Sequence, residues 1–250
     1  MNLYEAIFTR KSIRQYKMEA IDVRILDNLM KYAEHLEMLA EHHQVTFQLI
    51  ENLQPKSSAS FTVKAPYYLV LYSLQNEDYL VNAGYLMEQI TLYLTTKGIG
   101  SCYIGMNKLE AEEEYHPTVV LAFGKTDHNI HRDSRKIKRI QLDELCSFKA
   151  TVNDNIKQML QAARLAPSAL NRQPWRFVVY DNRIHVFCKK EIMVIKHYRS
   201  LQYIDIGIAL SHLILAAEEL WLNTELVKSE NIAEKSFKKN EYMLTLKIMQ

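Results

Sequence analysis

Val45-Thr46-Phe47-Gln48-Leu49-Ile50 and Trp175-Arg176-Phe177-Val178-Val179-Tyr180 stand about 130 residues apart and read as two copies of one strand. The first alternates apolar and polar residues as a half-buried strand does, and the second is rich in aromatic and β-branched residues. Each follows a helical pattern: Ile25, Leu26, Leu29, Met30 and Ala33 within Ile21 to Tyr32, then Ile156, Met159, Leu160 and Ala163. Each ends at a turn, Glu51-Asn52 or Asp181-Asn182. Phe47 matches Phe177, Asn52 matches Asn182 and Ala33 matches Ala163 without a gap, which implies an internal duplication rather than two chance patterns.

The repeat continues outward. Ala65-Pro66 introduces a strand over Tyr67 to Ser73, and Asn82-Ala83-Gly84 opens an apolar helix to about Lys97. In the second copy, Ile184 to Cys188 reads as a strand and Asp205-Ile206-Gly207 opens a helix to about Trp221. Each half closes on a strand, Thr118 to Phe123 or Tyr242 to Met249. The order helix, strand, strand, long helix, strand predicts two tandem α+β halves, 1–148 and 149–250, packed as one unit about an approximate two-fold axis.

Composition narrows the function. Apolar residues make up 48% and charged residues 24%, with a formal net charge of +2. That balance is too small to imply nucleic acid or an anionic membrane as a partner, and neither is expected. No run reaches the ~18 uninterrupted apolar residues of a membrane span; the longest, Tyr203 to Leu222, is broken by Asp205, Ser211, His212, Glu218 and Glu219. Met1 to Lys11 has no apolar signal core. Three scattered cysteines (Cys102, Cys146, Cys188) argue against a disulfide framework and for a reducing cytoplasm.

Two motifs carry chemistry. In Arg10-Lys11-Ser12-Ile13-Arg14-Gln15-Tyr16, residues two apart share a side if the segment is extended. Arg10, Ser12 and Arg14 would then offer two guanidinium forks and a hydroxyl to one anion, although a short basic surface run would look the same. Ala166-Pro167-Ser168-Ala169-Leu170-Asn171-Arg172-Gln173-Pro174-Trp175 places two φ-fixing prolines around a hydroxyl and two amides, between a helix and a strand. Such a stiff loop suits a planar heterocycle with several donors and acceptors.

Together with Lys97-Gly98-Ile99-Gly100-Ser101-Cys102-Tyr103-Ile104-Gly105 and Ser134-Arg135-Lys136, these motifs make the chain resemble the FMN-dependent nitroreductase family over nearly its whole length. The resemblance implies a nitroreductase-like α+β fold with mixed and antiparallel sheets and long central helices. It implies FMN as cofactor, NADH or NADPH as reductant, and small oxidants such as nitroaromatics or quinones reduced by ping-pong hydride transfer. By the same resemblance Arg10, Ser12 and Arg135 hold the FMN phosphate with Lys136 assisting, and Arg14 lies near the pyrimidine edge as an electrostatic stabiliser. Pro167, Ser168, Asn171 and Gln173 line the ring, and backbone around Gly105 approaches it. No protein nucleophile is required.

The chain departs from the family pattern in one respect. Leu36-Glu37-Met38 stands where the second half has Ala166-Pro167-Ser168, and Leu142 to Asn153 contains no Arg-x-Ser-x-Arg. This resembles the nitroreductase subgroup with a fused, pseudo-dimeric subunit, in which one chain suffices for one FMN. A flavin-binding or regulatory module without turnover, and a dehalogenase or flavin-processing relative, are the competing readings. His42-His43 and Asp127-His128 with His131 lack the spacing of a structural zinc site and read as solvated histidines, so no metal is expected. Cys102 reads as a packed thiol.

Overall fold

The computed structural model describes residues 1–52, 63–104, 109, 111, 113–133, 136–190, 196–233 and 238–249. The chain divides into two compact units, Met1–Lys136 and Ile137–Gln250. A short strand at Cys146–Phe148 pairs in parallel with Phe177–Val179 and lies within the second unit.

The first unit contains helices α1 (Leu3–Thr9), α2 (Val23–Glu34) and α3 (Tyr79–Thr96), and strands β1 (Val45–Glu51), β2 (Tyr67–Ser73), β3 (Gly100–Ile104) and β4 (His116–Gly124). The strands form one antiparallel sheet in the order β1-β2-β4-β3. Central β2 is buried along its whole length. Its alternate residues point to opposite faces: Tyr68, Val70 and Tyr72 join Val120 and Ala122 in one cluster, while the Tyr67 ring stacks on Phe123 at 5.5 Å. Helix α3 is apolar nearly all round and almost entirely buried, and the Thr91 and Thr95 hydroxyls donate to the carbonyls one turn back, Met87 and Thr91, each at 2.9 Å.

The second unit contains α4 (Leu142–Leu145), β5 (Cys146–Phe148), α5 (Asp154–Arg164), β6 (Trp175–Val179), β7 (Arg183–Lys189), α6 (Lys196–Glu219), β8 (Asn223–Val227), α7 (Glu230–Ala233) and β9 (Asn240–Met249). Its sheet runs β5-β6-β7-β9-β8. Apart from β5, that order repeats the first sheet, with β6, β7, β8 and β9 in the places of β1, β2, β3 and β4. The registers repeat as well. Phe47 pairs with Leu71 and Leu71 with Val119, as Phe177 pairs with Val186 and Val186 with Leu244. Both sheets shift register at the following step, between Leu71 and Tyr72 and between Val186 and Phe187. A shared β-bulge is a designed feature rather than a patterning accident. Helices α2 and α5 are also capped alike: Asp22 Oδ1 accepts from Arg24 N at 2.9 Å and Asn153 Oδ1 from Ile156 N at 3.0 Å.

The two sheets differ at their edges. Ser12 pairs in parallel with Ser101 along the outer side of β3. Nothing among the described residues pairs with the outer side of β8, whereas β5 covers β6.

Helix α6 begins at Lys196, well before the expected opening at Asp205. No glycine or proline interrupts 196–205, and Arg199 donates to Tyr203 Oη one turn on at 2.9 Å. Its segment Tyr198–Glu219 is long and apolar enough to cross a membrane, but 78% of that window is buried inside the protein, as in a core helix.

The long helices end in matching caps. Gly98 takes φ +75° while Ile99 N donates to Leu94 O at 2.9 Å, and Trp221 takes φ +55° while Leu222 N donates to Ala217 O at 2.9 Å. Trp221 is 94% exposed, so a left-handed tryptophan stands where glycine is preferred, without burial to offset the strain. Trp221→Gly is expected to stabilise the protein by about 1 kcal/mol, read as a Tm rise of roughly 2–4 °C. A lowered Tm would show that the indole contributes more than its backbone costs.

Candidate functional site

The N-terminal motif is held by backbone on both sides. Helix α1 starts with a capping box in which Asn2 Oδ1 accepts from Glu5 N at 2.8 Å and Glu5 Oε2 from Asn2 N at 2.9 Å. The chain leaves α1 at Arg10 in an extended conformation, φ −53° and ψ 137°. Arg10 then bridges to His131, Arg132 N donates to Thr9 O at 2.7 Å, and Ile13 N donates to Ser101 O at 2.9 Å. The approach to β3 requires glycine: a Cβ on Gly100 would stand 2.9 Å from Ile13 Cγ1. Downstream, Tyr16 Oη reaches the carbonyls of Ile13 and Ala122.

This placement separates the three motif side chains. Arg10 is only 1% exposed, Ser12 is half-buried and Arg14 is exposed. Arg10 Nη2 donates to Ser12 Oγ at 3.3 Å, and its Nε lies 3.7 Å from Oε1 of the fully buried Glu88 on α3. Nε itself has no hydrogen-bond partner. Tyr103 on β3 donates its hydroxyl to Glu88 Oε2 at 2.7 Å. Since the Arg10 donation occupies one lone pair of Ser12, the Ser12 hydroxyl proton can serve another acceptor. Ser101 adds a buried hydroxyl without a hydrogen-bond partner. Burial pushes the Cys102 thiol up, with the Arg14 and Arg10 cations and a hydrogen bond from Ser12 pulling against it. Burial likewise raises the Tyr16 phenol, again opposed by both arginines.

Among the other residues expected at the phosphate, Lys136 is exposed and its N–H donates to Asp133 O at 3.0 Å. Arg135 and Gly105 lie outside the described residues.

In the second unit, Ala166 to Pro174 forms a braced loop around a 3-10 turn at Ala169–Asn171. Leu170, Asn171 and Gln173 take φ of +51°, +56° and +51°. Left-handed backbone at three non-glycine residues is strain that the surroundings must impose. The braces are visible. Asn171 Oδ1 accepts from Arg139 Nη1 at 2.7 Å and its Nδ2 donates to Lys138 O at 3.1 Å. Gln173 Oε1 accepts from Ile140 N at 2.8 Å and its Nε2 donates to Asn171 O at 3.0 Å. Both amides thus spend capacity on fixing the loop to residues 138–140. Ser168 Oγ accepts from Gln173 N at 2.9 Å, which leaves its proton available, and Pro167 and Ser168 are half-buried. Beneath the loop, buried Asp205 of α6 accepts the Ala169 N–H at both carboxylate oxygens, 3.0 and 3.2 Å. Burial pushes the pKa of its carboxyl well above the usual carboxylate range, with the Ala169 N–H acting in the opposite direction.

Sequence reading missed Glu88, Tyr103, Ser101, Arg139 and Asp205. A lone carboxylate within the apolar run of α3 was the available signal for Glu88, and the alignment of Asp205 with Asn82 was the signal for the loop. The histidine pair forms its own contacts: His43 Nδ1 meets Asn76 Oδ1 at 3.1 Å, and the His42 and His43 rings lie 4.2 Å apart. Among the described residues no three His, Cys, Asp or Glu side chains gather as a metal site.

With a buried Arg–Ser pair on a glycine-admitted strand and a strained Pro-Ser-Asn loop in a repeated α+β framework, the fold and motifs define a nitroreductase-class protein. The chain matches the family described as "Putative TM nitroreductase" over residues 2–217 and belongs to it. The crystal structure of a "putative nitroreductase" from Thermotoga maritima is similar over 99% of this chain and 94% of its own, at 22% identity and a TM-score of 0.67. A nitroreductase family protein of Clostridium difficile 630 is 16% identical over 60% of this chain and 99% of its own, with a TM-score of 0.49. An FMN-dependent nitroreductase of Clostridium difficile R20291 is 15% identical over 56% and 97%, with a TM-score of 0.45. No curated protein matches the chain.

Proposed function

We propose that this chain binds one FMN and passes electrons from NADH or NADPH to a small acceptor such as a nitroaromatic or a quinone. What supports this most is the buried Arg10 holding a half-buried Ser12 along β3, in a chain that matches a nitroreductase family over residues 2–217. Bound FMN would supply the hydride-accepting and hydride-donating chemistry, and the protein supplies orientation and electrostatics.

The residues fit an anion and a polar ring. Glu88 offsets the charge of Arg10, so Arg10 acts chiefly by holding Ser12, whose hydroxyl would turn from the Cys102 thiol to a phosphate oxygen. Arg135 and Lys136 would add the positive charge a phosphate needs. The exposed Arg14 guanidinium would face the pyrimidine edge and favour negative charge there as electrons arrive. Pro167 and Ser168 would meet the ring, with Asn171 and Gln173 bracing the loop and offering what hydrogen-bonding capacity remains. NAD(P)H and the acceptor would use the same ring face in turn.

The test is FMN titration of the purified chain followed by addition of NADH or NADPH. One flavin per chain, bleached by a nicotinamide, is the expected result. No binding at micromolar FMN, or two flavins per chain, would sink the reading; a bound flavin inert to both nicotinamides would mark a module without turnover. Arg14→Ala should remove a charge-assisted hydrogen bond worth about 1.5–3 kcal/mol, or roughly 10- to 100-fold in FMN affinity. Unchanged affinity and unchanged flavin potential would exclude Arg14 from the site.

A further inference from the structure

The duplication allows each half to serve as a reference for the other. Helix α3 with β3 aligns with α6 and β8 at one offset of about 123, which pairs Gly98 with Trp221 and Asn82 with Asp205. The loops that follow α2 and α5 align at the separate offset of about 130, which pairs Leu39 with Ala169. These pairs meet in the same hydrogen bond. Asn82 Oδ1 accepts from Leu39 N at 2.9 Å, and Asp205 Oδ1 accepts from Ala169 N at 3.0 Å. Both acceptors are buried, Asn82 at 1% exposure and Asp205 at 4%. Each half therefore carries the same tether, from its buried helix to the loop ahead of its first long strand.

We infer that Asp205 is a positioning residue for the proposed flavin-ring loop, acting through the Ala169 N–H in the manner that Asn82 tethers Leu39. The tether fixes the first residue of the 3-10 turn. Ser168 lies immediately before it, extended at φ −147° and ψ 158°, and accepts the Gln173 N–H on its hydroxyl. The strained residues Leu170, Asn171 and Gln173 follow. Asn171 and Gln173 are braced from the side of 138–140, and Asp205 braces the turn from α6, so the loop is clamped at both ends of its strained stretch. Without the clamp at Ala169, a part-buried N–H loses its acceptor and Ser168 loses its fixed direction. The first-half tether holds a loop without Pro-Ser, so the same bond there carries no ring contact. Asn82 also shows that an amide suffices for the bond, which makes the acid replaceable by its isostere.

The inference rests on the FMN reading for its binding arm and is independent of it for its loop arm. In FMN-free protein, hydrogen–deuterium exchange of the segment spanning 166–174 is expected to accelerate about tenfold or more in Asp205→Ala and to stay near wild type in Asp205→Asn. In FMN titrations Asp205→Ala should lose about tenfold in affinity or more, Asp205→Asn less than about threefold, and Asn82→Ala less than about threefold. Ala169→Pro deletes the donor while leaving the carboxyl in place. An extended Ser168 tolerates a following proline, so this variant should reproduce the Asp205→Ala loss even if that protein fails to fold. Wild-type exchange and affinity in Asp205→Ala or Ala169→Pro would overturn the inference, as would an Asp205→Asn variant as impaired as Asp205→Ala. If the wild type binds no FMN, the functional reading fails, while the exchange arm still decides the tether.

Discussion

Glu88→Ala is expected to destabilise the protein by about 3–5 kcal/mol, the range for removing one partner of a buried ion pair. The reason is the company Glu88 keeps. It has no exposure, Arg10 beside it has 1%, and the carboxylate is the charge that offsets that guanidinium at 3.7 Å. Truncation would leave a buried cation without its counter-charge and deprive the Tyr103 hydroxyl of its 2.7 Å acceptor. Glu88→Gln should cost less, because an amide oxygen still accepts from Tyr103 while only the charge is lost. Urea denaturation of both variants, with the slope checked for two-state behaviour, gives the comparison. A loss below about 1 kcal/mol for alanine would mean that Arg10 finds another compensation, and the reading of Arg10 as a residue held for Ser12 would fall with it.

Asp205→Asn should change how stability depends on pH. Burial raises the folded-state carboxyl above its unfolded value, so the folded chain binds the proton more tightly than the unfolded one. The wild type is then favoured while Asp205 stays protonated, and that contribution is lost as pH rises from the ordinary carboxylate range through the raised folded value. One proton limits the slope to about 1.4 kcal/mol per pH unit. The asparagine variant lacks this slope, so its stability relative to wild type should climb as pH increases. At low pH the amide variant is the less stable of the two, because its second N–H is buried without an acceptor, as Asn82 Nδ2 is. Thermal melts of both proteins across a pH series decide the matter: parallel curves would show that Asp205 titrates as it does in the unfolded chain.

The strongly apolar elements were legible from sequence for simple reasons. β2 and β4 are continuous apolar runs, and α2 and α5 show one-sided helical spacing with side-chain caps at their starts. β3 carries no strand pattern of its own, because Gly98, Gly100 and small polar residues mark the segment. It becomes a strand through tertiary pairing, with β4 on one side and Ser12 on the other. β8 escaped for a related reason, since Asn223, Thr224 and Glu225 carry little apolar pattern and owe their extension to β9. The motif residues were found, but their division of labour was not. Spacing put Arg10, Ser12 and Arg14 on one side of an extended segment. Their actual separation into a buried pair and an exposed cation follows from Glu88, which sits on a helix far along the chain. In the same way, the amides of Asn171 and Gln173 meet backbone at 138–140 that no local pattern announces.

The uneven sheet edges bear on the history of the chain. In the first unit the Arg-x-Ser-x-Arg segment is itself the extra strand-like piece beside β3, so the proposed binding motif and the edge cover are one stretch of polypeptide. In the second unit the corresponding edge, β8, has no such neighbour among the described residues, and the added piece lies across the sheet beside β6. Restoring a second anion motif would therefore demand insertion of a whole segment along β8 rather than a few point mutations. Selection acting one residue at a time has no short route to such a segment. The asymmetry works as a ratchet, and it would hold the two halves to different trades even if both were free to drift.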